Sequence, residues 1–434
     1  MTTCRTCTTT RICRKKTKKN KERNARRRCP ERVPAAFFAE GDDSHMGLKK
    51  QLTACLERAV ENHEAAGISL LVLRDGEELV YAQAGMADTG SGKPVARDSI
   101  FRLYSQSKPV TAAAVMILAD RGIIDLMDGA DRYLPGFREQ KVLNPDGSVA
   151  PALRAPWILE LLTMSAGLSY PDADPAGQYA ARVFEADQEQ ILSGGGMGTV
   201  EFCNRLGEQP LAFQPGTGWR YSTCADILGA VVEAATGKRF GQFLEEELFG
   251  PLGMKDTGFY VPEEKKDRLV TCYRRIPGGL EEFRGLHLAV GQYDRPPAFE
   301  SGGAGLVSTL DDYAAFASML MNGGEYKGKR ILSPAAVKFM TAPRLSPEIR
   351  RWMWDSLCGY NYGCLVRVCD RPGSAGLFTE EGEYGWDGWL GTYFANLPGQ
   401  KITFMLNQNA PDTGTASVTR KCRNILASRL SDKE

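Results

Sequence analysis

Histidine is nearly absent from this 434-residue chain: His45, His63 and His287 are all there is. No His-Glu-x-x-His zinc helix exists, and no Gly-x-Ser-x-Gly marks the nucleophile turn of an α/β-hydrolase. Nor does any apolar run approach the ~20 residues that a membrane span needs. The N-terminus lacks the apolar stretch of a secretory signal. Gly90-Ser91-Gly92-Lys93 fails as a phosphate loop, because Ala87 replaces the first glycine and Pro94 the hydroxyl residue. These gaps exclude the common zinc, nucleotide and histidine-based designs. A nucleophilic hydrolase built on this chain needs a base other than histidine.

What is present is globular. Hydrophobic residues make up 43% and charged residues 25%, enough for a substantial core. The charge is uneven. Residues 1–45 carry 13 Lys/Arg against 5 Asp/Glu, with almost no large apolar side chains before Phe37, so they are expected to be a disordered basic tail. Cys4, Cys7, Cys13 and Cys29 in it lack metal-ligand spacing beyond the first pair. Ser44-His45-Met46 reads as a cloning junction, with Met46 as the natural start. The rest is mildly acidic, so no nucleic-acid partner is expected, and no membrane association either. Salt-dependent nucleic-acid binding through the basic tail is the one competing reading of that segment. Eight further cysteines sit mainly in apolar segments as small hydrophobes. With no export signal, a reduced, cytoplasmic protein is expected. Oligomeric state is not legible.

Apolar periodicity predicts helices over about 47–65, 105–122, 156–164, 199–207, 224–236, 240–248, 311–322 and 334–341. Ile68–Arg74, a turn at Asp75-Gly76 and Leu79–Ala84 read as a hairpin. Cys358–Val368, Gly382–Trp386, Gly391–Asn396 and Lys401–Gln408 read as strands, and Thr415–Leu430 as a closing helix. The expected fold is α/β of the α+β kind: an antiparallel sheet from both termini, flanked by helices, with a mainly helical region at roughly 123–300 inserted into a domain spanning 46–434. The loops 171–200 and 277–300 resist placement. His63, on the first helix, reads as a packed or surface residue, and His287 is ambiguous.

Ser105-Gln106-Ser107-Lys108 is the only Ser-x-x-Lys in the chain. At the start of a helix, a spacing of three puts both side chains on one face. A lysine buried there loses its charge preference and can accept the hydroxyl proton. The helix N-terminus and the serine's own N–H favour a developing anion. Alone the pattern is weak. Its position is informative, at the mouth of a strongly apolar helix after the extended stretch Ile100–Tyr104.

Five stretches then carry a resemblance. They are Phe101–Ala114; Leu161–Leu168; Gln214–Thr223; Pro251–Met254; and Gly302–Leu306 with Ser308–Tyr313. Together they resemble the serine β-lactamase and DD-peptidase superfamily, in its class C-like esterase branch, the family VIII carboxylesterases. The resemblance implies a β-lactamase-like fold, with Ser105 as nucleophile, Lys108 as its activating partner and Tyr221 as the proton shuttle to the leaving group. It implies no metal and no cofactor, and a small-molecule ester as the partner. Gly385-Trp386-Asp387-Gly388-Trp389 matches the third motif, with tryptophan in place of the cation that helps hold a carboxylate in lactam-cleaving members. Trp386 then gives an apolar wall and one N–H donor. Ser105 and Trp389 are the expected oxyanion donors. Tyr104, Thr223, Trp386, Asp387 and Gly388 are the expected substrate-binding residues. Thr223 replaces an asparagine and lacks its two-ended amide. Met164 replaces a common histidine and reads as structural. Ester hydrolysis is therefore expected. A β-lactamase, a D-Ala-D-Ala peptidase, a D-amino-acid amidase, an acyltransferase and a catalytically silent binding protein remain as alternatives.

Overall fold

The computed structural model describes residues 44–431. The expected basic tail with its four cysteines lies outside the described residues. Helix α1 (Ser44–Glu61) leads into β1 (Gly67–Arg74), and the Asp75-Gly76 turn into β2 (Glu77–Asp88) and β3 (Lys93–Pro94). After the middle of the chain come β4 (Tyr360–Tyr362), β5 (Arg367–Cys369), β6 (Tyr384–Asp387), β7 (Tyr393–Leu397) and β8 (Ile402–Gln408). These eight strands form one sheet in the order β4-β5-β6-β7-β8-β1-β2-β3, antiparallel throughout. The two ends of the sequence meet where β1 pairs with β8, from Ile68 opposite Gln408 to Arg74 opposite Ile402. This is the β-lactamase-like sheet expected from the sequence.

Strand β1 is buried on both faces, which explains its unbroken apolar run. Ile68, Leu70 and Val72 face one core with Leu52 and Leu56 of α1 and Cys422 and Leu426 of the closing helix α6 (Ser417–Ser431). Leu71 and Leu73 face the larger core on the other side. That core holds α2 (Lys108–Asp120), α4 (Cys224–Thr236) and α5 (Leu310–Met321), with most of the inserted helices.

Several expectations are corrected. The first helix ends at Glu61, and His63 is exposed beyond it with φ 55°. The helix expected from 105 begins as a 3₁₀ turn at Tyr104–Ser107, and α2 proper starts at Lys108. Cys358–Val368 is two strands, because the chain reverses through Leu365 at φ 57°. The stretch 240–248 becomes a short α-helix, Phe240–Leu244, followed by a π-helical turn. The unplaced segment 171–200 contains an 18-residue helix, α3 (Pro175–Leu192), capped by Asp174, whose carboxylate accepts from the Gly177 N–H at 3.0 Å. All eight cysteines among the described residues are free, and seven are buried.

Candidate active site

The extended stretch before Ser105 is anchored first. Phe101 and Arg102 pair with Ser308 and Val307, and the Leu103 N–H donates to the Leu306 carbonyl at 2.9 Å. Tyr104 then takes φ 46°, a conformation costly for a residue with a side chain. The packing that holds it there also fixes the next residue. Ser105 emerges at the start of the 3₁₀ turn, 9% exposed. One turn on, Lys108 is completely buried. Its Nζ donates to Ser105 Oγ at 3.0 Å, to the Tyr170 hydroxyl at 3.1 Å and to the Gly303 carbonyl at 2.8 Å. Among the described residues no carboxylate touches it. Desolvation pushes its pKa down to about 7, against the opposing pull of the more distant Asp226, Cys224 and Asp387. An amine with that pKa is about half neutral near pH 7, and the neutral form can take a proton from the serine it touches.

Tyr221 closes the cluster. The Lys108 ammonium lies 4.6 Å from the centre of its ring. Its phenol is hydrogen-bonded with Ser105 and accepts from Trp386 Nε1 at 3.1 Å. Burial holds the phenol protonated, and those two hydrogen bonds only partly oppose this. Three side chains 3 and 113 positions apart in sequence thus converge on one cleft. The Trp386 indole donor, expected to face substrate, is instead used on Tyr221. Trp386 is 2% exposed and orients the phenol.

Strand β6 is brought to the nucleophile by a glycine. A Cβ at Gly388 would lie 2.1 Å from the Leu103 carbonyl oxygen and 2.4 Å from Thr392 Oγ1, so only glycine permits this approach. Thr392 Oγ1 donates to that same carbonyl at 2.9 Å. The next N–H, that of Trp389, makes no hydrogen bond within the described residues, and the same holds for the Ser105 N–H. The Trp389 ring stacks on His287 at 3.9 Å and meets Tyr104 at 5.0 Å, while its Nε1 donates to Asp412 at 2.7 Å. Two expected substrate residues are engaged elsewhere. Thr223 is wholly buried, with its hydroxyl on the Ser169 carbonyl at 3.5 Å. Asp387 points to the α6 side of the sheet, where it accepts from Thr415 at 3.0 Å and lies 3.6 Å from Arg367. Met164 is buried at φ 57°, in keeping with a structural role.

Three further participants escaped sequence reasoning. Tyr170 lies two residues past the second matching stretch and shares the Lys108 amine. Asp226 is a buried carboxylate two residues into α4. It accepts from Ser301 Oγ at 2.5 Å and from the Gly303 N–H at 3.0 Å. Burial raises its pKa, with Lys108 opposing. Gly303 therefore lies between the two charges, its N–H on Asp226 and its carbonyl on Lys108. A Cβ there would come within 2.8 Å of the Tyr170 hydroxyl. His287, ambiguous in the sequence, is a stacking partner of Trp389. Among the described residues no cluster of His, Cys, Asp and Glu is arranged to hold a metal, and no helix is long and apolar enough to cross a membrane.

Fold and cluster together define a serine hydrolase of the β-lactamase and penicillin-binding superfamily. The chain belongs to the beta-lactamase family, whose model, described as Beta-lactamase, matches residues 52–425. It is 33% identical over 381 residues to Protein Rv1367c of Mycobacterium tuberculosis, covering 84% of this chain and 91% of that one. It is 32% identical over 411 residues to Esterase EstB of Burkholderia gladioli, covering 91% and 98%. Among solved structures it is similar to EstCE1, a hydrolase with promiscuous acyltransferase activity. The TM-score is 0.75 at 25% identity, covering 88% of this chain and 99% of that one.

Proposed function

We propose that this protein is a serine carboxylesterase that cleaves small, uncharged esters through an acyl-enzyme on Ser105. The observation that carries the reading is the 3.0 Å contact between Ser105 Oγ and the fully buried amine of Lys108, which no carboxylate among the described residues touches. Ser105 Oγ attacks the ester carbonyl while Lys108 takes its proton. The N–H groups of Ser105 and Trp389 receive the oxyanion, each such donor being typically worth about 3 kcal/mol. Tyr221 passes a proton to the departing alkoxide as the carbonyl–oxygen bond breaks. Water, activated by the same Lys/Tyr pair, then releases the acid. Similarity to EstB and EstCE1 supports ester over lactam chemistry. So does Trp386, which supplies no cation for a substrate carboxylate.

The test compares p-nitrophenyl butyrate, a chromogenic cephalosporin and a D-Ala-D-Ala peptide in one assay. Ester turnover should dominate. A fluorophosphonate should add one mass label to the protein and none to Ser105→Ala. Cephalosporin turnover exceeding ester turnover would overturn the substrate class, and an unlabelled wild type would favour a silent binding protein.

A further inference from the structure

Large aromatic side chains are seldom left half exposed without a partner, and two sit side by side here. Trp352 is 54% exposed and Trp354 is 48% exposed, on the segment following the short helix Pro347–Arg350. They do not point to open surface at random. The Trp354 ring meets Tyr221 edge-on at 4.9 Å and rests against the buried Trp219 at 5.4 Å. Trp352, two residues earlier, meets Phe213 at 6.3 Å. Tyr221 is itself only partly buried, and its inner side is already occupied by Lys108 and Trp386. The aromatic surface therefore borders the phenol on the outer side of the cleft.

Which part of a substrate meets that surface follows from the chemistry. The group beside Tyr221 is the one that receives its proton, and in ester cleavage that is the alcohol. We infer that Trp354, extended by Trp352 and Phe213, seats the alcohol portion of the substrate, and that this portion is a flat aromatic group. Planar rings stack or meet edge-to-face on such a surface, whereas a short alkyl alcohol leaves it wet. The inference rests on the esterase reading and specifies its substrate class.

Two primary-alcohol esters with one acyl group test it: 2-naphthylmethyl butyrate and ethyl butyrate. Wild type is expected to favour the naphthylmethyl ester in kcat/KM by about tenfold or more, the effect of burying a further ~60 Å² of apolar surface. Trp354→Ala should erase most of that ratio, Trp352→Ala part of it, and Trp354→Phe should retain most. The ratio between ethyl hexanoate and ethyl butyrate should not follow the substitutions, because it reports the acyl side. Thermal melts separate misfolding from lost recognition, and the Trp352→Ala comparison keeps the test informative if Trp354→Ala is unstable. Turnover of both esters with an alcohol ratio unmoved by Trp354→Ala and Trp352→Ala alike would overturn the aromatic seat alone. A shift confined to the acyl ratio would do the same. Absence of turnover on either ester by wild type would instead overturn the esterase reading beneath it.

Discussion

Lys108 and Arg423 are both buried cations, and the sheet separates them. Lys108 lies on the cleft side with hydroxyls and a carbonyl around it, and among the described residues no carboxylate touches it. Arg423, on α6 behind the sheet, forms a two-pronged pair with Glu383 at 3.1 and 2.7 Å and also donates to the Tyr393 hydroxyl at 2.8 Å. Burial works against both charges. Around Arg423, contact with Glu383 outweighs it, and Glu383 in turn is held below the ordinary carboxylate range despite its own burial. Around Lys108 nothing outweighs it, and the pKa falls to about 7. Equal burial therefore produces a fixed strut in one place and a base in the other. The difference lies in whether a carboxylate touches the cation.

The largest expected effect breaks the first member of the pair. Lys108→Met should lower kcat/KM toward p-nitrophenyl butyrate by roughly 10⁴-fold, as for losing a member of a nucleophile–base unit. The circular dichroism spectrum should be unchanged. Residual turnover within tenfold of wild type would show that another group activates Ser105.

Breaking the second member should do the opposite. Arg423→Met takes the two-pronged partner from the buried Glu383 and leaves it only Arg367, 3.9 Å away, as a counter-charge, so the loss should approach the ~3–5 kcal/mol typical of breaking a buried pair. Urea denaturation should show that loss, while kcat/KM of the folded fraction stays near wild type. A loss of catalysis larger than the loss of fold would make this strut part of the site.

A subtler change sharpens the comparison on the cleft side. Trp386→Phe removes the donor to Tyr221 but keeps an aromatic ring. Losing one hydrogen bond of this kind corresponds to about 1 kcal/mol, so kcat should fall several-fold with KM little altered. A rise in KM with kcat intact would mean that Trp386 meets substrate directly, as the sequence suggested.

That last contrast marks where sequence reasoning stops. Strand alternation, the Asp75-Gly76 turn and the Ser105/Lys108 spacing are local properties, and a local pattern is written in consecutive residues. Helix α3 carried such a signal in Asp174-Pro175, a cap followed by proline at the first helical position. Its buried stripe is mostly small, however: Ala176, Gly177, Ala180 and Val183 precede Phe184. The apolar period was too thin to see. Asp226, Gly303 and Tyr170 were invisible for another reason. Tyr170 and Gly303 reach Lys108 through contacts spanning 62 and 195 residues, and Asp226 reaches it only through Gly303; even the matching stretch around Gly303 does not mark its carbonyl as a partner of the lysine. Thr223 and Asp387 illustrate the same limit in reverse. Matching a motif placed them at the cleft, yet the hydroxyl of one and the carboxylate of the other are engaged by Ser169, Thr415 and Arg367.

The last contrast lies in pH dependence, and it separates the two cations most cleanly. If neutral Lys108 is the base, kcat/KM should rise with pH through about 7 and level off above it. The same group should leave a signature in stability. Its folded pKa lies below the ordinary 10.5, so between about pH 7 and 10.5 the unfolded chain holds more protons than the folded one. Stability then increases with pH across that window, and the gain is absent below it. Urea melts of wild type and Lys108→Met should therefore diverge in favour of wild type from pH 7 to 10. Arg423 stays charged throughout, so Arg423→Met should shift stability by a constant amount over the same range. Its dependence should appear only in acid, where Glu383 takes up its proton. A Lys108→Met difference flat from pH 7 to 10 would mean that the buried amine keeps its charge, and the contrast between strut and base would fail.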